Sequence, residues 1–432
     1  MREYWKCIGG ICYGSILGDR RKKGAKMVLA AVLIMAFLLA GCATGRSAYA
    51  FLPSDVTHIP LDDSIIMDIN DLGLNTLRLI NEDDTEGRNM IISPVSLSTA
   101  LSILNNGAAG TTRDEINGLI NTRGVTQDGC NGKYRDLISS FYNRKDVTIL
   151  PANSLWVNKE YRVKESFIEL ARAWYDAEVF SLNVKSPSAV NQVNKWISDK
   201  TKDFITNPVS GIDPDTIMLI VNTLYFKGAW IDEFNKECTE KEDFTLGTGE
   251  TVQADMMNGQ FRVPYYNAGD FKAAKLHYEG GVSMLLLRPE GDVNELVESL
   301  SADMLLDIND RLKPFKTNLK VPKLSYGFRD EMSGYLKKLG MVDAFSGSAD
   351  FSGMVEDTEA RVNRVLHECR IELDEEGTIA AAATVIEKTD VSAMTEPEEI
   401  MDFYLDKPFV FAIMDNQTGA VFFLGKVENP AQ

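Results

Sequence analysis

Two hydrophobic periods share the chain beyond Asp62. Apolar side chains return every three or four positions in residues 95–105 (VSLSTALSILN), 167–174 (FIELARAW), 190–205, where Val193, Trp196, Ile197 and Ile205 carry the repeat, and 330–339. That spacing lines one face of a helix and predicts helices there. Residues 217–226, 273–287, 365–373 and 409–423 instead read as strands, several of them long and some apolar on both faces. Helices come first and strands dominate later, without the regular alternation of a doubly wound parallel sheet, so the pattern predicts an α+β fold with large sheets. Residues 365–374 (VLHECRIELD) alternate most cleanly. His367, Cys369, Ile371 and Leu373 fall on one face and Glu368, Arg370, Glu372 and Asp374 on the other. His367 therefore points inward, where its ring must find a hydrogen-bond partner to offset the loss of water.

Composition adds scale and exclusions. The chain has 432 residues, 44% hydrophobic and 25% charged, and neither a Pro/Ser/Gly-rich linker nor a run of like charge divides it after Asp62. Residues 61–432 are expected to form one large domain. The first 41 residues hold seven Lys or Arg against two acidic residues, so the net charge of −18 becomes −23 beyond them. A body that acidic repels phosphate backbones, which argues against nucleic acid as a partner, and it stays off anionic lipid unless tethered.

A tether is legible. Residues 27–40 (MVLAAVLIMAFLLA) are apolar, too short a run for the roughly 20 residues of a spanning helix, and follow Arg20, Arg21, Lys22, Lys23 and Lys26. That is the layout of a signal peptide. It ends in Leu39-Ala40-Gly41-Cys42, which resembles the lipobox of bacterial lipoproteins, where the cysteine sulfur is acylated before cleavage. The expected organisation is a signal peptide over residues 1–41, a lipid tether over 42–60 and the domain from 61 onward. Several acyl chains on Cys42 would exceed the two-signal requirement for stable anchoring. Ala43, in place of an inner-membrane-retaining Asp, predicts export to the cell surface or outer membrane.

The other cysteines, Cys130, Cys238 and Cys369, are widely spaced and show no CxxC or ligand-like pairing with His58, His277 or His367. Neither a metal site nor a disulfide framework is indicated, and no cofactor is expected. A Ser-His-Asp hydrolase finds little support, because one of the three histidines lies in the tether and no Gly-x-Ser-x-Gly elbow occurs.

The segment after the alternating strand stands out: Glu375-Glu376-Gly377-Thr378-Ile379-Ala380-Ala381-Ala382-Ala383-Thr384. It reads either as a short surface helix, from its alanines, or as a stretch small enough to slide between strands. Other motifs fall in order along the body. They include Asn89, Ser93-Pro94 with Ser96, Asn153, Val193-Asn194 with Trp196 and Thr201, and Asn222-Thr223-Leu224-Tyr225-Phe226-Lys227-Gly228-Ala229-Trp230. Pro322-Lys323, Leu339-Gly340-Met341, Ala344-Phe345, Val365-Leu366-His367, Lys407-Pro408-Phe409, Gly425-Lys426-Val427 and Asn429-Pro430 continue the series. Together they resemble the serpins, the serine protease inhibitor family, over about residues 68–430.

The resemblance implies three β-sheets, eight or nine helices and an exposed reactive loop at about residues 375–400. A target protease would attack the loop as a substrate. The cleaved loop would then insert as a new strand before the acyl-enzyme hydrolyses, a strand addition for which serpins are themselves the recognised example. The inhibitor needs no catalytic group of its own. Its hinge would be Gly377, Thr378, Ala380, Ala381, Ala382, Ala383 and Thr384, with Thr378, Ala380, Ala382 and Thr384 turning inward. Ile379 departs from the acidic residue often found there, but faces outward. Trp230, Lys323 and Glu375 would form the breach at the top of the sheet, and Ser93, Ser96, Asn222 and His367 the shutter lower down. Hinge spacing puts the scissile bond at Val391-Ser392, with Met394-Thr395 as second choice. Val391 suits an elastase-like or subtilisin-like serine protease, with a cysteine protease as a further target class. A monomer is expected. The alternative is a non-inhibitory serpin acting as a binding or structural surface protein.

Overall fold

Ser93 closes the N-terminus of the helix Pro94–Gly107, its side chain accepting the Ser96 N–H at 3.2 Å, and Pro94 occupies the first turn, where its missing N–H costs nothing. This helix is buried along nearly its whole length; Thr99 Oγ1 turns back on the Val95 carbonyl at 2.6 Å, while the Ser98 and Ser102 hydroxyls meet those of Tyr134 and Tyr175. The computed structural model in which it is seen describes residues 64–142, 144–356, 360–378 and 399–432. These carry nine α-helices and fifteen strands in α+β arrangement.

The strands form two hydrogen-bonded networks. The six-stranded sheet runs in the order Leu324–Glu331, Arg364–Asp374, Gly377–Thr378, Met218–Ala229, Val147–Asn158, Glu178–Leu182. The other joins nine strands through the long Thr251–Asn267 strand, which does the work of two of the three expected sheets. Its first part pairs with Thr239–Thr245, its middle with Lys313–Pro322 and its last residues with Phe271–His277, so the hydrogen bonding never breaks where the sheet changes direction.

Four predicted segments are corrected in extent. Residues 273–287 are two strands, Phe271–His277 and Val282–Pro289, because Gly280 and Gly281 take positive φ and reverse the chain. Residues 409–423 are likewise split, Phe409–Asp415 from Val421–Val427, with Gly419 at φ 72°. The helix expected over 190–205 is Ala189–Lys200; Lys202 and Asp203 enter the left-handed region and end it. That expected over 330–339 is Ser333–Lys338, since Asp330 and Glu331 still belong to the preceding strand.

The Ala189–Lys200 helix covers one face of the six-stranded sheet. Val193, Trp196 and Ile197 pack with Trp156, Leu219, Val221 and Leu366 in one apolar cluster. Leu366 shares that face with Glu368, while His367 points to the opposite side, toward Ser93 and the Pro94–Gly107 helix.

Candidate functional site

Two strands from distant parts of the chain, Met218–Ala229 and Arg364–Asp374, lie side by side at the middle of the six-stranded sheet. They pair in parallel from Arg364 opposite Leu219 to Glu368 opposite Thr223, whereas the pairs flanking them, to Leu324–Glu331 and to Val147–Asn158, are antiparallel. Within this stretch His367 stands opposite Asn222. The Ser93 N–H donates to His367 Nε2 at 2.9 Å, which leaves the ring proton on Nδ1, facing Asn222 Oδ1. Asn222 Nδ2 passes the chain on to Asn153 Oδ1 at 3.2 Å. Complete burial pushes the imidazole pKa down to about 4, so the ring is neutral near pH 7. Ser96 Oγ donates to the Thr223 carbonyl at 3.2 Å. Ser93, Ser96, Asn222 and His367 therefore converge, tying one helix terminus to both strands at the level where those strands touch.

Higher up, direct pairing gives way to a hairpin. The Asp374 carboxylate accepts the N–H groups of Glu376 at 2.9 Å and Gly377 at 3.2 Å, and the chain turns back on itself. Gly377 has φ 143°, and a β-carbon there would stand 2.1 Å from the Gly228 carbonyl oxygen, so only glycine fits. Gly377 and Thr378 then pair antiparallel on both sides, with Asp374 and Leu373 on one and Ala229 and Gly228 on the other. Sequence reasoning placed insertion from Thr378 onward after cleavage; in the intact chain the first two places are already taken. Thr378 is 2% exposed, and its hydroxyl shares a 2.7 Å hydrogen bond with the fully buried hydroxyl of Tyr278.

The same corner holds Trp230, Lys323 and Glu375. The Trp230 indole stacks on Tyr278 at 4.0 Å and donates Nε1–H to the Asp374 carbonyl at 3.1 Å. Lys323 Nζ lies 2.9 Å from the Glu375 carboxylate, which also accepts the Thr239 hydroxyl at 2.7 Å. Burial opposes the charge on Glu375, but these two donors outweigh it and hold its pKa below the ordinary carboxylate range. Lys236 pairs with Glu376 alongside. Tyr278, Thr239, Lys236 and the capping role of Asp374 escaped sequence reasoning. Tyr278 lay inside a stretch read as one strand, and only the unforeseen turn at Glu279–Gly281 aims its hydroxyl at the hairpin. Cys42, Ala380, Ala381, Ala382, Ala383, Thr384, Val391, Ser392, Met394 and Thr395 lie outside the described residues.

Residues 67–430 match the model of the family described as Serpin (serine protease inhibitor). The chain is 32% identical over 328 residues to an alpha-1-antitrypsin homolog of Cyprinus carpio, covering 75% of this chain and 87% of that protein. It is 35% identical over 364 residues to Serpin-Z1C of Triticum aestivum, covering 79% and 90%. Among solved structures, human thyroxine-binding globulin superposes with a TM-score of 0.79 at 27% identity, covering 85% of this chain and 99% of that one. The thermophilic serpin Tengpin in its native state superposes with a TM-score of 0.77 at 26% identity, covering 88% and 97%. With likeness running from the first described helix to the last strand, and relatives spanned over nearly their full length, the chain belongs to the serpin family.

Proposed function

We propose that this serpin is a suicide inhibitor of serine proteases. A target cuts the loop that follows Thr378, and the freed segment slides between Met218–Ala229 and Arg364–Asp374 before the acyl-enzyme can hydrolyse, trapping the protease. One observation carries this reading: Gly377 and Thr378 occupy, in the antiparallel sense an inserted strand requires, the first two places between strands that pair directly only lower down. Val391-Ser392 is the proposed scissile bond, with Met394-Thr395 second, and a small aliphatic residue at Val391 fits elastase-like or subtilisin-like pockets. Ser93, Ser96, Asn222 and His367 hold the lower strands together until the segment arrives, and Trp230, Lys323 and Glu375 hold the mouth. The tether proposed at Cys42 would present this trap at the cell surface.

Mixing the protein with a panel of elastase-like and subtilisin-like proteases should give a covalent complex that survives SDS. Cleavage of the loop by every protease without such a band would sink the inhibitory reading. That outcome would favour a non-inhibitory binding role, since thyroxine-binding globulin, a binding protein by its name, is among the structures this chain resembles.

A further inference from the structure

A cleft of about 470 Å³ opens where the two strand networks meet, and its walls include Lys323 but neither Trp230 nor Glu375. Lys241 enters from the strand Thr239–Thr245 and Asp255 from Thr251–Asn267. Lys323 and Ser325 come from the turn and strand that follow Lys313–Pro322, and Glu372 and Asp374 from the end of Arg364–Asp374. The volume lies in the range of small-ligand sites, whereas walls so charged exclude an apolar occupant.

The polar groups on these walls are not used up. Among the described residues the Lys241 ammonium meets Asp255 at 3.0 Å, and that of Lys323 meets the two oxygens of Glu375 at 2.9 and 3.2 Å. Each therefore keeps at least one of its three N–H donors. On the six-stranded sheet the Glu376 and Gly377 N–H groups both go to Asp374 Oδ1, and Arg370 goes to Glu372 Oε1 at 2.9 Å, which leaves Oδ2 and Oε2 as acceptors. Burial raises the Asp374 carboxyl above its ordinary range, so a cation brought beside it would be held.

Spare donors thus come from one side of the cleft and spare acceptors from the other. A simple anion would meet Asp255, Glu372 and Asp374 as well as the lysines, and a simple cation would meet both lysines. A molecule with a charge of each sign at its two ends meets each wall with the sign that wall lacks. We propose that this cleft binds a short zwitterionic peptide, its C-terminal carboxylate on Lys241 and Lys323 and its N-terminal ammonium on Glu372 and Asp374. Ser325, exposed on the same wall as Lys323, suits the peptide groups between. Asp374 caps the hinge turn and Lys323 braces Glu375 within it, so an occupant ties that turn to the neighbouring strands and steadies the intact protein.

The probe is triglycine, titrated into the full chain in dilute buffer at pH 7. Calorimetry should show one site, and triglycine at about ten times its Kd should raise the melting midpoint of the intact protein by about 2 °C. N-acetyltriglycine keeps only the carboxylate and triglycinamide only the ammonium, so each should bind about tenfold more weakly. Lys241→Gln and Glu372→Gln, on opposite walls and outside the hinge ion pair, should each weaken triglycine about fivefold, the weight of one half-exposed ion pair, the fold of each variant being checked by its midpoint without peptide. Loop-nicked protein should bind triglycine as the intact form does. Equal affinity for all three peptides, equal affinity of variants and wild type, or no binding of triglycine would overturn the site. Binding that disappears on nicking would put the peptide in the sheet instead, and would overturn it too.

Discussion

Thr378 occupies a position that tolerates no charge. Its side chain is buried against Tyr278 between two strands, so an arginine there must either expel the hinge or bury an unpaired cation. Thr378→Arg should lower the melting midpoint of the intact protein and, on the inhibitory function proposed above, turn it into a substrate: proteases would cut the loop at a similar rate yet remain active and uncomplexed, which a residual-activity titration reads. Two neighbouring residues on opposite faces of one strand give a second prediction. The pKa of His367 is depressed from 6.5 to about 4, so on acidification the unfolded chain takes the proton first and stability is lost between those values. The pKa of Glu368 is raised from 4.5 to about 7, so the folded chain takes the proton first and stability is gained over nearly the same window. Each shift is worth about 3 kcal/mol, and the two oppose. In Glu368→Gln only the histidine remains, so from pH 7 to 4.5 its melting midpoint should fall further than that of the wild type.

At the scale of elements, the sequence was most readable where one face is apolar and the other polar. Residues 365–374 alternate cleanly, and the strand Arg364–Asp374 carries His367 inward as that alternation requires. Turns built by glycines inside apolar runs were hidden, because Gly280 and Gly281 interrupt no obvious pattern and act only through positive φ. The composition after Gly377 left a surface helix or a sliding segment open, and only the likeness to serpins made it a hinge; the pairing of Gly377 and Thr378 was not legible, because it depends on Asp374 capping a local turn and on Gly377 passing close to Gly228, a residue far away in the chain. The tail of the hinge makes an element-level prediction. If the segment beyond Thr378 becomes a strand, about a dozen residues gain ladder hydrogen bonds, each worth about 0.5 to 1.5 kcal/mol net, less the cost of ordering them. Calorimetry of protein nicked within residues 379–398 should show a melting midpoint well above that of the intact form; equal midpoints would count against insertion.

For the whole molecule, an acidic body, a basic and apolar N-terminal segment and the lipid tether proposed at Cys42 together predict that membrane attachment would depend on one residue. Beyond residue 41 the net charge is −23, which anionic lipid repels, so a Cys42→Ala variant should move from the membrane fraction to the soluble one after fractionation. Retention of that variant in the membrane fraction would refute the lipid tether. The parallel pairing at the centre of the sheet also sets a timetable for synthesis. His367 meets Asn222 across 145 positions of sequence, so the Met218–Ala229 strand leaves the ribosome long before its neighbour exists. During that interval its edge is a bare row of amide and carbonyl groups on an apolar ribbon, and contacts so remote in sequence form slowly. Yield should thus be governed by how crowded nascent chains are during those seconds, and slower or more dilute production should recover more active protein than any remedy applied after folding.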